Sequence, residues 1–381
     1  MKIGIMLRCV DEKGGIGVYT RNIVEELLKS DKQNEYRLFY SNKANLGRYA
    51  GYQNAKEIYI YAPHKSLWDQ MAIPYYMARR EHIDLLFHPK FTVPLLTKTP
   101  AVMVVHGADW FIPGFDQIYT KSDVMYIKRV MPLYLKKAAG VISVSNYSTE
   151  GFLKAFPWFK EKFRTIYFGP NRIFNRVTDR AVLDKVRLKY KLPDQFILTV
   201  TRYDPGTKNT RKNFGGMIEA YKRCMNQAEF KHKFVVAGKD CYRFSEEHNL
   251  RSGRLENNVV FPGYIDQSDL PALYTLADLY LYPSFVEAFP IPITEALACG
   301  CPIVTSKDTG CREIADDAAL LVDPADPGDI AGAMCKVLQD EKLRQRLSAK
   351  GIERSKMFSW DKCAKETIAF FETVRTNAVG R

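Results

Sequence analysis

Twelve short apolar runs, six in each half of the chain, alternate with stretches that carry apolar residues at helical spacing. This alternation restricts the fold more than any other feature. The first half offers residues 2–7, 36–40, 57–61, 84–88, 101–105 and 140–144 as strands, and the second offers 196–201, 233–237, 258–261, 278–282, 302–305 and 319–322. Several are apolar almost throughout, as strands covered on both faces of a parallel sheet must be. Between them, Ile16, Tyr19, Ile23, Leu27 and Leu28 share one helical face, and Met217, Ala220, Tyr221 and Cys224 share another. The pattern predicts an α/β protein of two Rossmann-like, doubly wound domains. At 381 residues the chain also exceeds what one ordinary core supports. The switch between domains falls near Gly169-Pro-Asn-Arg172, giving domains 1–172 and 173–360. Residues 361–381 read as a terminal helix long enough to cross back to the first domain.

Composition narrows the setting. No run of about 18 apolar residues occurs, so no spanning helix is expected. The segment Met1–Arg8 is too short and too charged for a signal peptide and reads as a buried strand. The eight cysteines form no C-x-x-C pair, and Cys299, Cys301 and Cys311 cluster without a histidine. Reduced, buried thiols in a cytoplasmic protein are therefore expected, with no metal site. The net charge is +13, and residues 1–190 hold 30 Lys and Arg against 17 Asp and Glu, while 191–381 hold 26 of each. The basic first half calls for an anionic partner, either an anionic membrane surface or a lipid-diphosphate acceptor. No nucleic-acid-binding motif is present, and no nucleic acid is expected.

The chemistry gathers at four places. Glu287 and Glu295 stand eight positions apart around an apolar run with two prolines. On one helix they would lie about 12 Å apart along the axis. Pro290 and Pro292 instead place Glu287 in a loop and Glu295 in the first turns of the helix after it. Backbone N–H groups at that helix start then lie between two acids, which suits a ligand with hydroxylated ends around an anion. A nucleotide sugar is such a ligand. Second, Gly14-Gly15-Ile16-Gly17 follows the first strand and opens a helix, where bare backbone can approach a phosphate, though the spacing is not that of a dinucleotide site. Third, Arg202, Lys208, Arg211 and Lys212 crowd one loop at a strand end, and Arg202 and Lys212 are the candidates to neutralise a leaving diphosphate. Fourth, His106 ends the 101–105 run, with Asp109 placed to orient it or meet a substrate, and His88 holds an equivalent, weaker position.

In this order the segments resemble the retaining glycosyltransferases of family 4, with the GT-B architecture. The resemblance also draws on Ile142-Ser-Val-Ser-Asn-Tyr-Ser148, Val260-Phe-Pro-Gly263-Tyr264 and Glu295-Ala-Leu-Ala-Cys-Gly300, and spans about residues 1–360. It implies that Glu287 contacts donor-sugar hydroxyls and that Glu295 holds the ribose. It implies that Arg202 and Lys212 meet the diphosphate, with Lys208 the alternative to Lys212. Gly15, Ile16 and Gly17 close over the phosphates, His106 lies near the donor sugar, and Tyr264 and Ile265 meet the nucleobase. Where the family has glycines after the first Glu, this chain has Ala288 and Pro290, which leaves Phe289 and Ile291 as the backbone donors. The implied reaction moves a hexose from a nucleoside-diphosphate sugar, with GDP-mannose the expected donor, to a glycan or lipid-linked acceptor in cell-surface polysaccharide or glycolipid synthesis. No metal or other cofactor is implied. No carboxylate stands out as a covalent nucleophile, so same-face attack is expected. The alternatives are a sugar-nucleotide epimerase on the same scaffold and a non-enzymatic basic protein that binds membrane or nucleic acid. Residues 121–137 carry five cations and one acid among apolar residues, and predict a helix resting peripherally on an anionic membrane through Lys128, Arg129, Lys136 and Lys137.

Overall fold

The computed structural model describes residues 1–112, 114, 119–203, 211–227, 230–250 and 253–379. They form two compact units, Met1–Phe168 together with the segment from Ser359 onward, and Gly169–Phe358. Each unit is an α/β layer structure around one parallel sheet.

In the first unit the strands are β1 (Lys2–Met6), β2 (Glu35–Tyr40), β3 (Ala55–Tyr59), β4 (Leu85–His88), β5 (Ala101–Val105), β6 (Gly140–Ser143) and β7 (Phe163–Thr165), in spatial order β3-β2-β1-β4-β5-β6-β7. Every pairing is parallel. The apolar runs foretold the first six. The seventh is a three-residue edge strand of which no residue is fully buried, so no apolar run marks it. Chain order reverses between β1 and β4, which makes their C-terminal ends the place where a doubly wound sheet opens a crevice.

The Trp360–Val379 helix belongs to this unit. Its Phe371 ring lies 5.1 Å from Phe87 of β4, and Trp360 stacks on Phe168 at 4.9 Å. Phe371 is fully buried, which stabilises the packing by about 2 kcal/mol.

The second unit contains β8 (Phe196–Val200), β9 (Lys233–Ala237), β10 (Val259–Gly263), β11 (Leu279–Tyr282), β12 (Ile303–Ser306) and β13 (Ala319–Val322), in order β10-β9-β8-β11-β12-β13. All six coincide with apolar runs of the sequence. The reversal here lies between β8 and β11, so the segments leaving those two strands share one crevice edge. Helices Phe214–Met225 and Pro327–Gln339 pack on one face, where Tyr221, Cys224, Met334 and Val337 share a core. All eight cysteines are buried free thiols. No helix among the described residues is long and apolar enough to cross a membrane.

Candidate active site

The segments that follow β8 and β11 carry the charged centre of the second unit. Glu287 lies in the loop between β11 and helix Ile291–Ala298 and is only 6% exposed. A carboxylate so buried must be paired. Lys212 Nζ donates to its Oε1, and Arg211 Nη2 reaches Oε2 at 3.5 Å. Tyr282 and Ser284 hydroxyls donate to Oε1 at 3.1 and 3.2 Å. Burial alone would raise the carboxyl, but the charges of Lys212 and Arg211 outweigh it and hold Glu287 at about 2. Both cations keep about a third of their side-chain surface open. Both are therefore anchored on Glu287 while part of each side chain still faces solvent.

Three features of the chain hold this cluster in place. Asn213 adopts a left-handed conformation (φ 57°), which asparagine tolerates, and caps helix Phe214–Met225 by accepting from Gly216 N–H. Its Nδ2 donates to the carbonyls of Pro283 (3.1 Å) and Pro324 (2.6 Å), tying the segments after β11 and β13 to the Lys212 backbone. Arg211 Nε donates to Val286 O at 3.0 Å, which fixes the loop that presents Glu287. On the other side, Gly310 N–H donates to Glu287 O at 2.9 Å. A Cβ on Gly310 would stand 2.3 Å from Ala288 O and 2.6 Å from Glu287 O, so only glycine admits this approach.

Glu295 sits in the second turn of helix Ile291–Ala298 and accepts from Tyr274 OH at 3.0 Å. Burial pushes its carboxyl up to about 8, against the opposing effect of that hydrogen bond. The two glutamates are joined underneath by a row of tyrosines. Tyr274 meets Tyr280 edge-on at 5.3 Å, Tyr280 stacks on Tyr282 at 5.7 Å, and Tyr282 carries both Lys212 and Glu287. One acid is thus held ionised and the other near neutrality, eight positions apart on one surface.

The remaining candidates of this unit fall around the cluster. Pro290 is the N-cap of helix Ile291–Ala298 and Pro292 its second residue, which leaves Ile291 the first helical N–H. Phe289 is buried, Ile291 half-buried. β10 ends at Gly263, and beyond it Tyr264 is open while Ile265 is buried. Arg202 is exposed directly after β8. Arg211 joins Lys212 on Glu287, a pairing that the spacing of cations along the loop does not single out. Lys208 lies outside the described residues.

In the first unit, Gly14 (φ 110°) precedes helix Gly15–Ser30 with no side-chain cap, and Gly15 is exposed. The first N–H groups of that helix therefore face outward. A Cβ on Gly17 would lie 1.8 Å from Glu12 O, so the preceding loop folds directly over the helix start. That loop is pinned: Arg8 donates to Asp69 at 2.9 and 2.8 Å, Glu12 pairs with Lys90, and Arg21 holds Val10 O at 2.8 Å. Asp69 is aimed there from a π-helical segment, Trp68–Ala72. His106 donates from Nε2 to Pro89 O at 2.9 Å, an assignment that leaves Nδ1 as an acceptor. Its orienting partner is thus Pro89, whereas Asp109 accepts from Tyr119 OH at 3.2 Å. Burial lowers His106 to about 4, so the ring is neutral at physiological pH. His88 is held by Thr92 and likewise lowered by burial, and it serves the packing of this edge.

Two doubly wound units, each around one parallel sheet, give the chain the fold of the GT-B glycosyltransferases. Residues 183–354 match the family described as Glycosyl transferases group 1. It is 27% identical over 381 residues to O-antigen chain mannosyltransferase B of Escherichia coli, covering 93% of this chain and 94% of the relative. It is 29% identical over 268 residues to the serotype-specific mannosyltransferase WbdA of E. coli, which covers 68% of this chain and 31% of that longer protein. Among solved structures, Anabaena HepE in complex with UDP-glucose superposes with a TM-score of 0.74 at 18% identity, over 98% of this chain and all of the other.

Proposed function

We propose that the protein transfers a mannosyl group from GDP-mannose, with retention of configuration, to a glycan or lipid-linked acceptor in cell-surface polysaccharide or glycolipid synthesis. The observation that carries the reading is the Arg211–Lys212–Glu287 cluster at the second unit's switch point. The mannosyltransferase relatives support the choice of sugar.

The steps follow from charge. The bond between sugar C1 and the diphosphate oxygen breaks, and its electron pair leaves with the nucleoside diphosphate. Arg211 and Lys212 stabilise that growing charge where it develops. Arg202 and the N–H groups at Ile291 and Phe289 add to the anion site. Glu287, ionised at any physiological pH, accepts hydrogen bonds from donor-sugar hydroxyls and stabilises positive character at C1. The acceptor hydroxyl attacks from the face the diphosphate leaves, and its proton passes to the leaving phosphate oxygen. Neutral His106 offers Nδ1 to the donor sugar, and Gly15 to Gly17 offer backbone donors to the phosphates. Glu295 receives the ribose hydroxyls, and Tyr264 and Ile265 receive the base. Neither a metal ion nor an organic cofactor is part of the proposal.

Calorimetry with GDP, UDP, ADP and dTDP tests the base. GDP is expected to bind tightest, and a clear preference for UDP would overturn the assignment of donor. The same titration tests Glu295. Ribose hydroxyls donate to a carboxylate best when it is ionised, so binding is expected to lower the Glu295 carboxyl from about 8 and release a proton. Affinity then rises as pH climbs toward about 8 and levels off above it. Repeating the titration in buffers of different ionisation enthalpy measures the release, and Glu295→Gln should remove it. Equal release by wild type and variant would take Glu295 out of the ribose site.

A further inference from the structure

An aromatic cluster stands at the C-terminal ends of β4 and β5, and the transfer steps do not use it. Phe91 follows the last residue of β4, His88, while His106 and Trp110 follow the last residue of β5, Val105. Phe91 meets Trp110 edge-on at 5.3 Å, and the Trp110 ring lies 5.1 Å from Tyr119. The cluster is tied to His106, because the carbonyl that holds the His106 ring belongs to Pro89, two residues before Phe91. It is also fixed from within. Trp110 and Phe111 share the turn Asp109–Phe111. Phe111 packs at 5.5 Å on Phe152 and at 5.0 Å on Phe156, the C-cap of helix Asn146–Ala155. Glycine at 151 lets that helix approach closely, since a Cβ there would lie 2.7 Å from the Ala108 Cβ. Tyr119 OH donates to Asp109 at 3.2 Å.

The rings are held but not closed over. Phe91, Trp110 and Tyr119 are each half-buried, and Phe91 and Trp110 rest on the core that contains Ile127 and Met131. Trp68 and Trp360, which pack inside this unit, are only 1% and 3% exposed. Trp110 differs because its turn commits Phe111 to the core and leaves the indole half open. Flat apolar rings with open surface at a strand edge suit a ligand with flat apolar faces of its own. A pyranose is one: its ring C–H bonds make a face that stacks on an aromatic ring, and its hydroxyls point sideways. The charges at this edge select the kind of saccharide. The cation lying over the rings is Lys90, 5.9 Å from the centre of Phe91, and its ammonium is paired with Glu12. Arg8 meets both oxygens of Asp69. Burial lowers His88 and His106 to about 4, so neither is charged at physiological pH. Asp109 adds a carboxylate of its own. A diphosphate gains little from matched cations and is repelled by that acid. Sugar hydroxyls instead donate readily to Glu12, which keeps 34% of its side chain open.

We propose that Phe91, Trp110 and Tyr119 form a shelf on which a neutral oligosaccharide acceptor stacks, its terminal sugar presented beside His106. The inference rests on the glycosyl-transfer reading and narrows it. Of the two acceptor classes named there, it selects the end of an uncharged glycan over a sugar carried directly on a lipid diphosphate. An oligosaccharide has several pyranose faces to lay along three rings. A sugar one bond from a diphosphate has one such face, and it brings its charge toward Asp109. Trp110 acts by binding alone and touches no reacting atom, so its loss falls on KM rather than kcat.

The test uses the full chain with GDP-mannose as donor. One acceptor is α-linked mannotriose, the other N-acetylglucosamine on a prenyl diphosphate. Wild type is expected to elongate mannotriose with a KM that changes little with salt. Trp110→Ala should raise that KM about tenfold with kcat near the wild-type value, and Trp110→Phe, which keeps a ring, should recover most of the loss. Tyr119→Ala should act in the same direction. Fluorescence gives a readout that needs no turnover, because the chain has four tryptophans and two of them are buried. Mannotriose should change the emission of wild type and of Trp158→Phe, but not of Trp110→Phe. Thermal unfolding and GDP affinity, both expected to stay at wild-type values in Trp110→Phe, separate lost docking from lost folding. Four results would each overturn the proposal: no emission change in wild type, a change that survives Trp110→Phe, an unchanged KM in Trp110→Ala, or a salt-sensitive preference for the diphosphate-linked sugar. A wild type that transfers to neither acceptor while mannotriose still alters Trp110 emission would remove the transfer reading and support the shelf as a saccharide site.

Discussion

Glu287→Gln is expected to lower turnover at least about a hundredfold while leaving nucleoside-diphosphate affinity unchanged or higher. The two effects point in opposite directions for one reason. The carboxylate neutralises Lys212 and Arg211 in the free protein, and it is buried where a lost charge is not replaced by water. Glutamine preserves the size and an acceptor for Tyr282 but removes the anion. The cations then meet a diphosphate with less competition, so binding does not suffer, whereas the charge that stabilises C1 during bond breaking is gone. The pair is half-open on its cationic side, so the stability loss should be modest, about 2 kcal/mol rather than the larger value of a fully enclosed pair. Its pH dependence has a definite sign. The folded carboxyl is held at about 2, below its ordinary value of 4.5, so its contribution is complete above about pH 4.5 and disappears as pH falls toward 2. Initial rates, calorimetry and thermal melts measure the three quantities. A Gln variant that turned over within tenfold of wild type would remove Glu287 from the chemistry.

Gly310→Ala is expected to lower turnover by roughly a hundredfold with the fold intact. The backbone at Gly310 is in an ordinary conformation, so the cost is steric alone. A methyl group 2.3 Å from Ala288 O must push the Glu287 loop back by roughly 1 Å, and a reacting group displaced that far loses alignment rather than existence. Overpacking of this kind costs about 1–3 kcal/mol. Gly332→Ala is the control: its position in helix Pro327–Gln339 has nothing within 4 Å, so it should be neutral or stabilising by up to about 1 kcal/mol. Steady-state kinetics and melting curves for the pair decide the matter. Full activity in Gly310→Ala would show that the loop is not held as described.

The contrast between these two residues marks how much the chain discloses before it folds. Glu287 announces itself, because an acid among prolines and apolar residues after an apolar run has few structural uses. Strands buried on both faces announce themselves equally well. Gly310 does not, because its role comes from β12 lying beside β11, which brings two loop segments into contact across the crevice edge. The sequence favours Arg202 among the cations of that loop, whereas the place of Arg211 on Glu287 comes from its hydrogen bond to the Val286 carbonyl across the crevice edge. Tyr282 looked like the end of a strand and proved to be the hydroxyl beneath both charges. Asp109 is near His106 in sequence, but the His106 ring donates to the backbone of Pro89 on the adjoining segment instead. Patterns along the chain report burial; partners across the sheet depend on strand order.

The Trp360–Val379 helix makes the first unit discontinuous in sequence, with the whole of Gly169–Phe358 inserted before its last piece. A ribosome therefore completes the second unit before it supplies Phe371 to Phe87 or Trp360 to Phe168. The part made first is finished last. Until then, one side of its sheet carries uncovered aromatic surface in a crowded cell, and the growing polypeptide has reason to seek chaperone cover. A chain that ends at Phe358 therefore has every residue of the second unit but leaves Phe87 and Phe168 of the first without their partners from the last helix.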